Sequence, residues 1–572
     1  MKVDLIIKNG YVYNSYFKKF FKRDIAILDE KFYYIGRIDP KLLGADQVID
    51  CENSYLIPGL IDIHLHIESS MTIPPAFSHE LIKNGVTTVV AEPHEIANTF
   101  GVEGIKEMLK AGKDCALDIF YGIPSSVPST SQEFETSGAA LDIEDIKELM
   151  TLDNIICLGE VMNYYDIINN TGAKINAILN FFRKKYPHLP VEGHCPRITG
   201  LELANVIYKG IDSDHTHQTV EGLRERIENG MFVEIQEKSM SPEVIDFLVK
   251  NELYEHFCFV SDDVMADTLV EEGHLNKLVK KAVKMGMKSE YAIYASTYTP
   301  ARRMGLKDRG SIAPGKLADF VLLDNVENFN ILKVYKKGRK VYDKDEEYPY
   351  NGEKKLFPAH FYRSVKLPAI TGDKFKIKAP VENGKVKCRV IKVMDKTTFT
   401  EEIIAAVDVK NGYLDWENSP YCVVAVFERY TNSGRFGIGL ITGDTIKRGA
   451  VAATYAHDHH NLIVVGKSLA DTVTAANTVI KSQGGYCAVL NGRVLAHVDL
   501  PVGGILSEES LLFLGNRLSH LRKAMKDLGY KHYNPIMSFS TVSLPVSPKI
   551  KITDRGLIKL SDNSIVQLFL EE

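Results

Sequence analysis

The run His64-Leu65-His66 sets two imidazoles two residues apart. Side chains on a strand repeat every two residues, so both rings leave one face and can chelate a single metal ion. Taken alone, such a pair is more often an incidental feature of a strand end than a ligand set. Four further residues change that reading. Glu160 closes Cys157-Leu158-Gly159-Glu160, and His194 closes Val191-Glu192-Gly193-His194. His215 closes Asp212-Ser213-Asp214-His215, and Asp262 closes Phe259-Val260-Ser261-Asp262. Each ends a short strand pattern. Imidazoles mixed with carboxylates suit zinc, iron or manganese rather than calcium or magnesium. A carboxylate such as Glu160 can bridge two cations, so the set can hold one ion or two.

These residues need strands that deliver them to one place. Eight strand patterns occur in order, at 59–66, 86–91, 116–121, 155–160, 190–194, 211–215, 231–235 and 257–262. Helical patterns follow them at 76–83, 102–111, 143–150, 173–185, 200–209, 220–229, 242–250 and, as one long helix, 268–284. Eight β-then-α units are what a (β/α)₈ barrel requires, and barrels place their chemistry at the C-terminal ends of the strands. A doubly wound sheet gives the same alternation, but the polar residues at the strand ends favour the barrel. Residues 1–56 are strand-rich, with Asp24–Leu28 and Phe32–Ile35 reading as a hairpin, and strands return near 319–323 and 334–341. The fold expected is therefore α/β. A TIM-like barrel spans 57–307, a small β-sandwich is built from 1–56 and 308–360, and a C-terminal α+β domain covers 361–572. In the last, Asn491-Gly492 marks a hairpin.

The 572 residues are 45% hydrophobic and 25% charged, ample for a large core, and a net charge of −5 argues against a nucleic-acid partner. The start reads as a strand rather than a signal peptide, and no apolar run is long enough to span a membrane. Eight cysteines are scattered without a CxxC pair, the pattern of reduced thiols in a cytoplasmic protein.

The order HxH, acid, His, His, Asp resembles the amidohydrolase superfamily. Residues 56–70 look like its first-strand signature, and Ser311-Ile312-Ala313-Pro314-Gly315-Lys316-Leu317-Ala318-Asp319 resembles its return into the β domain. Glu92-Pro93-His94-Glu95-Ile96-Ala97-Asn98 is similar to a stretch of the bacterial-type adenine deaminases. So are Leu158–Asn163, Glu192–Pro196, Ser261-Asp262-Asp263, Ala456-His457-Asp458-His459-His460-Asn461 and Leu500-Pro501-Val502-Gly503-Gly504. The likeness covers essentially the whole chain. Two positions depart from it. Asp214-His215-Thr216-His217 stands where the family has Asp-His-Glu, and His459 replaces a serine. His217 shares a face with His215; His215 is preferred because it directly follows Ser213-Asp214.

The resemblance implies hydrolytic deamination of adenine to hypoxanthine and ammonia, in purine salvage, by a metal-activated hydroxide. A bound divalent ion lowers the pKa of water from about 15.7 towards about 7. It implies a binuclear centre, with manganese or iron(II) expected before zinc. His64 and His66 hold one ion, His194 and His215 the other, Glu160 bridges, and Asp262 contacts the first ion and moves the water proton. Glu68, Glu95 or His94 protonates the purine ring, with Glu95 taken forward as catalytic. Glu192 reads as a salt-bridge partner. Asp263 reads as a packing residue on the opposite face from Asp262. His457, His459 and His460 read as loop histidines in solvent rather than as participants. The stripe Ile175, Leu179, Phe182 reads as core.

The partner is then a small molecule, with a homodimer or higher homo-oligomer allowed for. Alternatives are another cyclic amidohydrolase, such as a hydantoinase or dihydropyrimidinase, and a non-catalytic purine-binding barrel. Types that bridge their metals through lysine are disfavoured by Glu160. Base-flipping zinc deaminases need P-C-x-x-C, which is absent.

Overall fold

The computed structural model describes residues 1–171, 173–352, 355–562 and 564–570. The chain begins in an eight-stranded sheet. Strands Lys2–Asn14, Lys19–Leu28, Lys31–Gly36, Gly44–Asp50 and Tyr55–Pro58 are completed by Phe320–Leu323, Ile331–Lys336 and Arg339–Asp343. The two segments join where Tyr55–Pro58 pairs antiparallel with Phe320–Leu323. Alternation fills both faces. Leu5, Ile7, Ile25, Ile27 and Phe320 pack on one, and Val3, Ile6, Ala26 and Ile38 on the other.

Between these segments lies the barrel. Its strands are Leu60–Leu65, Val86–Ala91, Asp118–Ile123, Ile155–Val161, Val191–Gly193, Ser213–Asp214, Phe232–Ile235 and Phe257–Phe259, here called strands one to eight. All pairings are parallel, five strands in one run and three in the next. The runs join where Asp212 N–H donates to Val191 O at 3.1 Å. The ring closes where Leu65 bridges Asp262 in parallel and Asp262 N–H donates to His64 O at 3.1 Å.

The crossover helices bury one apolar stripe each, including Ile175, Leu179 and Phe182 in the main core. Their starts are fixed chemically. Ser241 Oγ accepts from Val244 N–H at 3.2 Å and Thr219 Oγ1 from Gly222 N–H at 3.2 Å. One expected helix is two, Ala266–Glu272 and Leu275–Lys284. Gly273 adopts φ 93° between them, a conformation that ends the helix and that only glycine takes without strain. Conversely, helix His94–Gly112 starts eight residues earlier than its apolar period indicates and kinks at Gly101.

The C-terminal domain carries a nine-stranded sheet, helices Leu469–Lys481 and Leu511–Asp527, and a final three-stranded sheet from Ile550 to Val566. It docks on the barrel mouth. Arg522 pairs with Asp267 at 2.5 Å, Thr136 Oγ1 donates to Asp554 at 2.6 Å, and Phe100 stacks on Phe361 with ring centroids 3.8 Å apart. Among the described residues, no helix is long and apolar enough to cross a membrane.

Candidate active site

Strand one ends by presenting His64 and His66 to the barrel mouth, both buried. His66 Nδ1 lies 3.0 Å from the carbonyl of Glu92, an acceptor that fixes the proton on Nδ1. The Nε2 lone pair therefore points inward, the tautomer a metal ligand needs. That atom is 3.4 Å from Glu160 Oε1 and 3.7 Å from Asp262 Oδ1. His64 Nε2 is 3.9 Å from Asp262 Oδ1. On the other side of Glu160, Oε2 lies 2.8 Å from His194 Nδ1 and 3.4 Å from His215 Nε2. All six expected ligands converge at one mouth.

The surrounding residues hold this arrangement. Asp62 accepts from His64 N–H at 3.2 Å and from Ser261 N–H at 3.0 Å, tying strand one to strand eight. Buried Asp214 accepts from Cys195 and Thr216 N–H, from Gln218, and from Arg226 Nε at 2.6 Å, which sets the end of strand six. His215 is therefore buried facing Glu160, whereas His217 is exposed and outside the set. Asp262 sits at φ 58°, a left-handed conformation that aspartate tolerates better than most side chains and that turns the chain away from the strand direction. Burial and the neighbouring Asp263 push its carboxyl up to about 6.

That twist corrects one expectation. Strand eight ends at Phe259, so alternation does not carry to Asp263. Asp263 turns back into the site and accepts from Ser69 Oγ at 2.5 Å. Glu192 does pair with Arg303, at 2.9 Å. Lys238, unmarked in the sequence, places Nζ 3.9 Å from Asp262 Oδ2.

The donor set fits a cation. His64 Nε2, fully buried, has no hydrogen-bond partner among the described residues. Such an orphan is costly unless something absent from the protein satisfies it. Ligand atoms of His64, His66 and Glu160 lie within 4.8 Å of one another, as do those of Glu160, His194 and His215, and of His64, His215 and Asp262. Glu160 belongs to the first two groups, the position of a bridge.

The C-terminal histidines correct a second expectation: His457, His459 and His460 are all buried. Glu95, in the first turn of helix His94–Gly112, is buried at the domain junction. Its Oε1 is 2.8 Å from His457 Nε2 and its Oε2 is hydrogen-bonded to His460 Nε2. Burial alone would raise this carboxyl; the two histidines outweigh it and hold Glu95 well below the usual carboxylate range. Burial likewise opposes charge on His457, but Glu95 overcomes it and holds the imidazole at about 9. His94 links this group to the metal-type residues, with Nε2 3.6 Å from Glu95 and Nδ1 3.8 Å from Glu160. Glu68 is buried beside it with Oε2 unpartnered among the described residues.

A cavity of about 810 Å³ reaches this mouth between the barrel and helix Leu511–Asp527. Lys238, Ser261, Asp263, Arg522 and Tyr533 line it. It is of the size of small-molecule sites.

Comparison with known proteins agrees. Residues 55–341 match the amidohydrolase family and residues 397–564 the adenine deaminase C-terminal domain. The chain is 54% identical over 572 residues to an adenine deaminase of Clostridium perfringens strain 13, covering 100% of this chain and 99% of that protein. It is 52% identical to adenine deaminase 2 of Shouchella clausii, covering 100% of both chains. It is 44% identical to an adenine deaminase of Lactobacillus delbrueckii subsp. bulgaricus, covering 99% of each. With a barrel of this donor order and a C-terminal domain closing its mouth, the chain belongs to the adenine deaminase family within the amidohydrolases.

Proposed function

We propose that this protein hydrolyses adenine to hypoxanthine and ammonia at the barrel mouth, using divalent metal held by His64, His66, Glu160, His194, His215 and Asp262. The observation carrying the metal part is Glu160, whose two oxygens face one imidazole set each. The full-length likeness to adenine deaminases carries the substrate. Two ions, with manganese or iron(II) ahead of zinc, suit the shared carboxylate. The ions supply Lewis acidity that brings water within reach of deprotonation at neutral pH.

The chain's own groups move the protons. Asp262 takes one from the attacking water and delivers it to the departing amine, a base and then an acid. Its left-handed backbone and the Asp62 clamp keep the carboxylate aimed at the mouth. The ring nitrogen takes its proton from Glu68, which has a free buried oxygen, and Glu68 recovers a proton from the new hydroxyl as it becomes the carbonyl. Glu95 remains an anion because two imidazoles fix it, so its part is to accept an N–H of the purine and orient the ring. Together the transfers convert one water and adenine into hypoxanthine and ammonia.

The test is ammonia release across a panel of purines at controlled manganese, iron and zinc loading. Turnover of adenine that falls to background in Glu160→Gln supports the reading. No ammonia from adenine at any loading overturns it.

A further inference from the structure

The domain junction holds a second arrangement that the deaminase reading does not require. Glu95 comes from the barrel; both imidazoles that hold it come from a loop 362 and 365 residues later, in the C-terminal domain. On His460 the proton position follows from the other ring nitrogen. His460 Nδ1 accepts from Ala456 N–H at 3.3 Å, so its proton is on Nε2, aimed at Glu95. His457 N–H donates to Ser540 Oγ at 3.2 Å, and the same hydroxyl lies 2.5 Å from His457 Nδ1. His457 Nε2 lies 2.8 Å from Glu95 Oε1, an ion-pair contact that favours the charged imidazole against its burial. One imidazole stands against each Glu95 oxygen, His460 by a hydrogen bond and His457 as an ion pair.

The loop itself is immobilised. Arg429, fully buried, donates from Nε to His460 O, from Nη1 to Ser364 Oγ at 2.8 Å and from Nη2 to Gly503 O at 2.7 Å. Tyr430 OH donates to His459 O at 2.6 Å. His460 stands at φ 51°, another left-handed residue held by its surroundings. A guanidinium bonded to carbonyls and hydroxyls, with no carboxylate among these partners, is an expensive way to hold a loop unless the loop's exact position matters.

We infer that His457 and His460 are positioning residues for the deamination, acting across the domain junction to fix the Glu95 carboxylate, so that the C-terminal domain completes the barrel's site rather than only covering it. This rests on the deaminase reading above. The barrel alone supplies all six expected metal ligands and still lacks the two imidazoles that flank Glu95. Misplacing a positioned group by an ångström lowers turnover by about a hundredfold in other enzymes.

The test is a double-mutant cycle on full-length, manganese-loaded protein, using His457→Gln, Glu95→Gln and both together. Glutamine retains bulk, and bound metal per chain and thermal midpoint verify each variant. We expect H457Q to lower kcat on adenine about tenfold with KM little changed, and to cost nothing further in the E95Q background. Equal losses in both backgrounds, or no loss in either, overturn the inference. His460→Ala against His460→Gln gives the same answer by rescue: Gln restores an N–H and turnover, Ala does not. Spectra of ¹⁵N-histidine-labelled, metal-free protein provide a readout independent of turnover. The His457 signal should be that of a doubly protonated imidazolium at pH 7 in the parent and of a neutral ring in E95Q; an identical His457 signal in both overturns the contact. If the parent protein releases no ammonia from adenine, the deaminase reading fails by itself, and the spectra still decide the contact.

Discussion

Gly159 precedes the bridging carboxylate and has no room for a side chain. A Cβ there would lie 2.5 Å from Glu92 Cδ and 2.7 and 2.8 Å from its oxygens. The Glu92 carboxyl must swing away in Gly159→Ala, and in doing so it abandons the Glu160 N–H it accepts at 2.6 Å. A buried N–H left unpaired costs about 1–3 kcal/mol. Forcing an extra methyl into a packed interior costs about 1–3 kcal/mol more. Both penalties fall on the backbone that aims Glu160 at its histidines. Losing an outer partner of a metal ligand lowers affinity by about 10–100-fold, which is about 1.4–2.8 kcal/mol. Dialysis of parent and variant against buffered manganese, followed by metal analysis per chain, measures this directly. Adenine turnover should fall in parallel and recover in part at high manganese. A variant that binds manganese within twofold of the parent would refute both the bridging assignment and the steric argument.

Four other outcomes follow from the same geometry. His215→Ala should lose bound metal and turnover, whereas His217→Ala should stay within about twofold because its ring is outside the donor set; equal effects would reverse the strand-six assignment. Arg303→Met leaves buried Glu192 without its cation and should destabilise by about 3–5 kcal/mol, read as a fall of several degrees in thermal midpoint; an unchanged midpoint contradicts it. Manganese added to metal-free protein at about 100 times its Kd should stabilise by about 2.7 kcal/mol, again read in the midpoint, and no shift would count against the site. Glu95 raises His457 from 6.5 to about 9, so their pairing stabilises fully below about pH 6.5 and fades as pH rises through about 9. The midpoint should therefore fall more steeply over that window in the parent than in H457Q, and parallel curves would sink the pairing.

The convergence of the metal-type residues was legible because barrel geometry is local: a strand, its last residue and the turn that follows are contiguous in sequence. His64, His66, Glu160, His194, His215 and Asp262 needed only the rule that strand ends share a face of the barrel. Asp263 was misread by the same rule, because alternation holds only while the strand persists and Asp262 leaves it at φ 58°. The long final helix was misread through its continuous apolar period, which hides the break at Gly273. The burial of His457 and His460 against Glu95 could not be read from their neighbours in the chain. Their partner is more than 360 residues away, and a loop histidine in sequence looks the same whether solvent or a second domain covers it. The family's C-terminal motif was the one sign that these histidines mattered.

The closing bond of the barrel has a consequence for motion. Asp262 N–H to His64 O is both the seam between the eighth strand and the first and a bond between two members of the donor set. The seam cannot part without separating the donors. Breathing of the cylinder and dismantling of the centre are thus a single event, with one amide as its reporter. The exchange rate of the Asp262 amide with deuterated solvent should measure how often the cylinder opens. An ion gripping both edges would act as a rivet across some two hundred residues of chain, slowing that exchange far more than exchange on the outer helices.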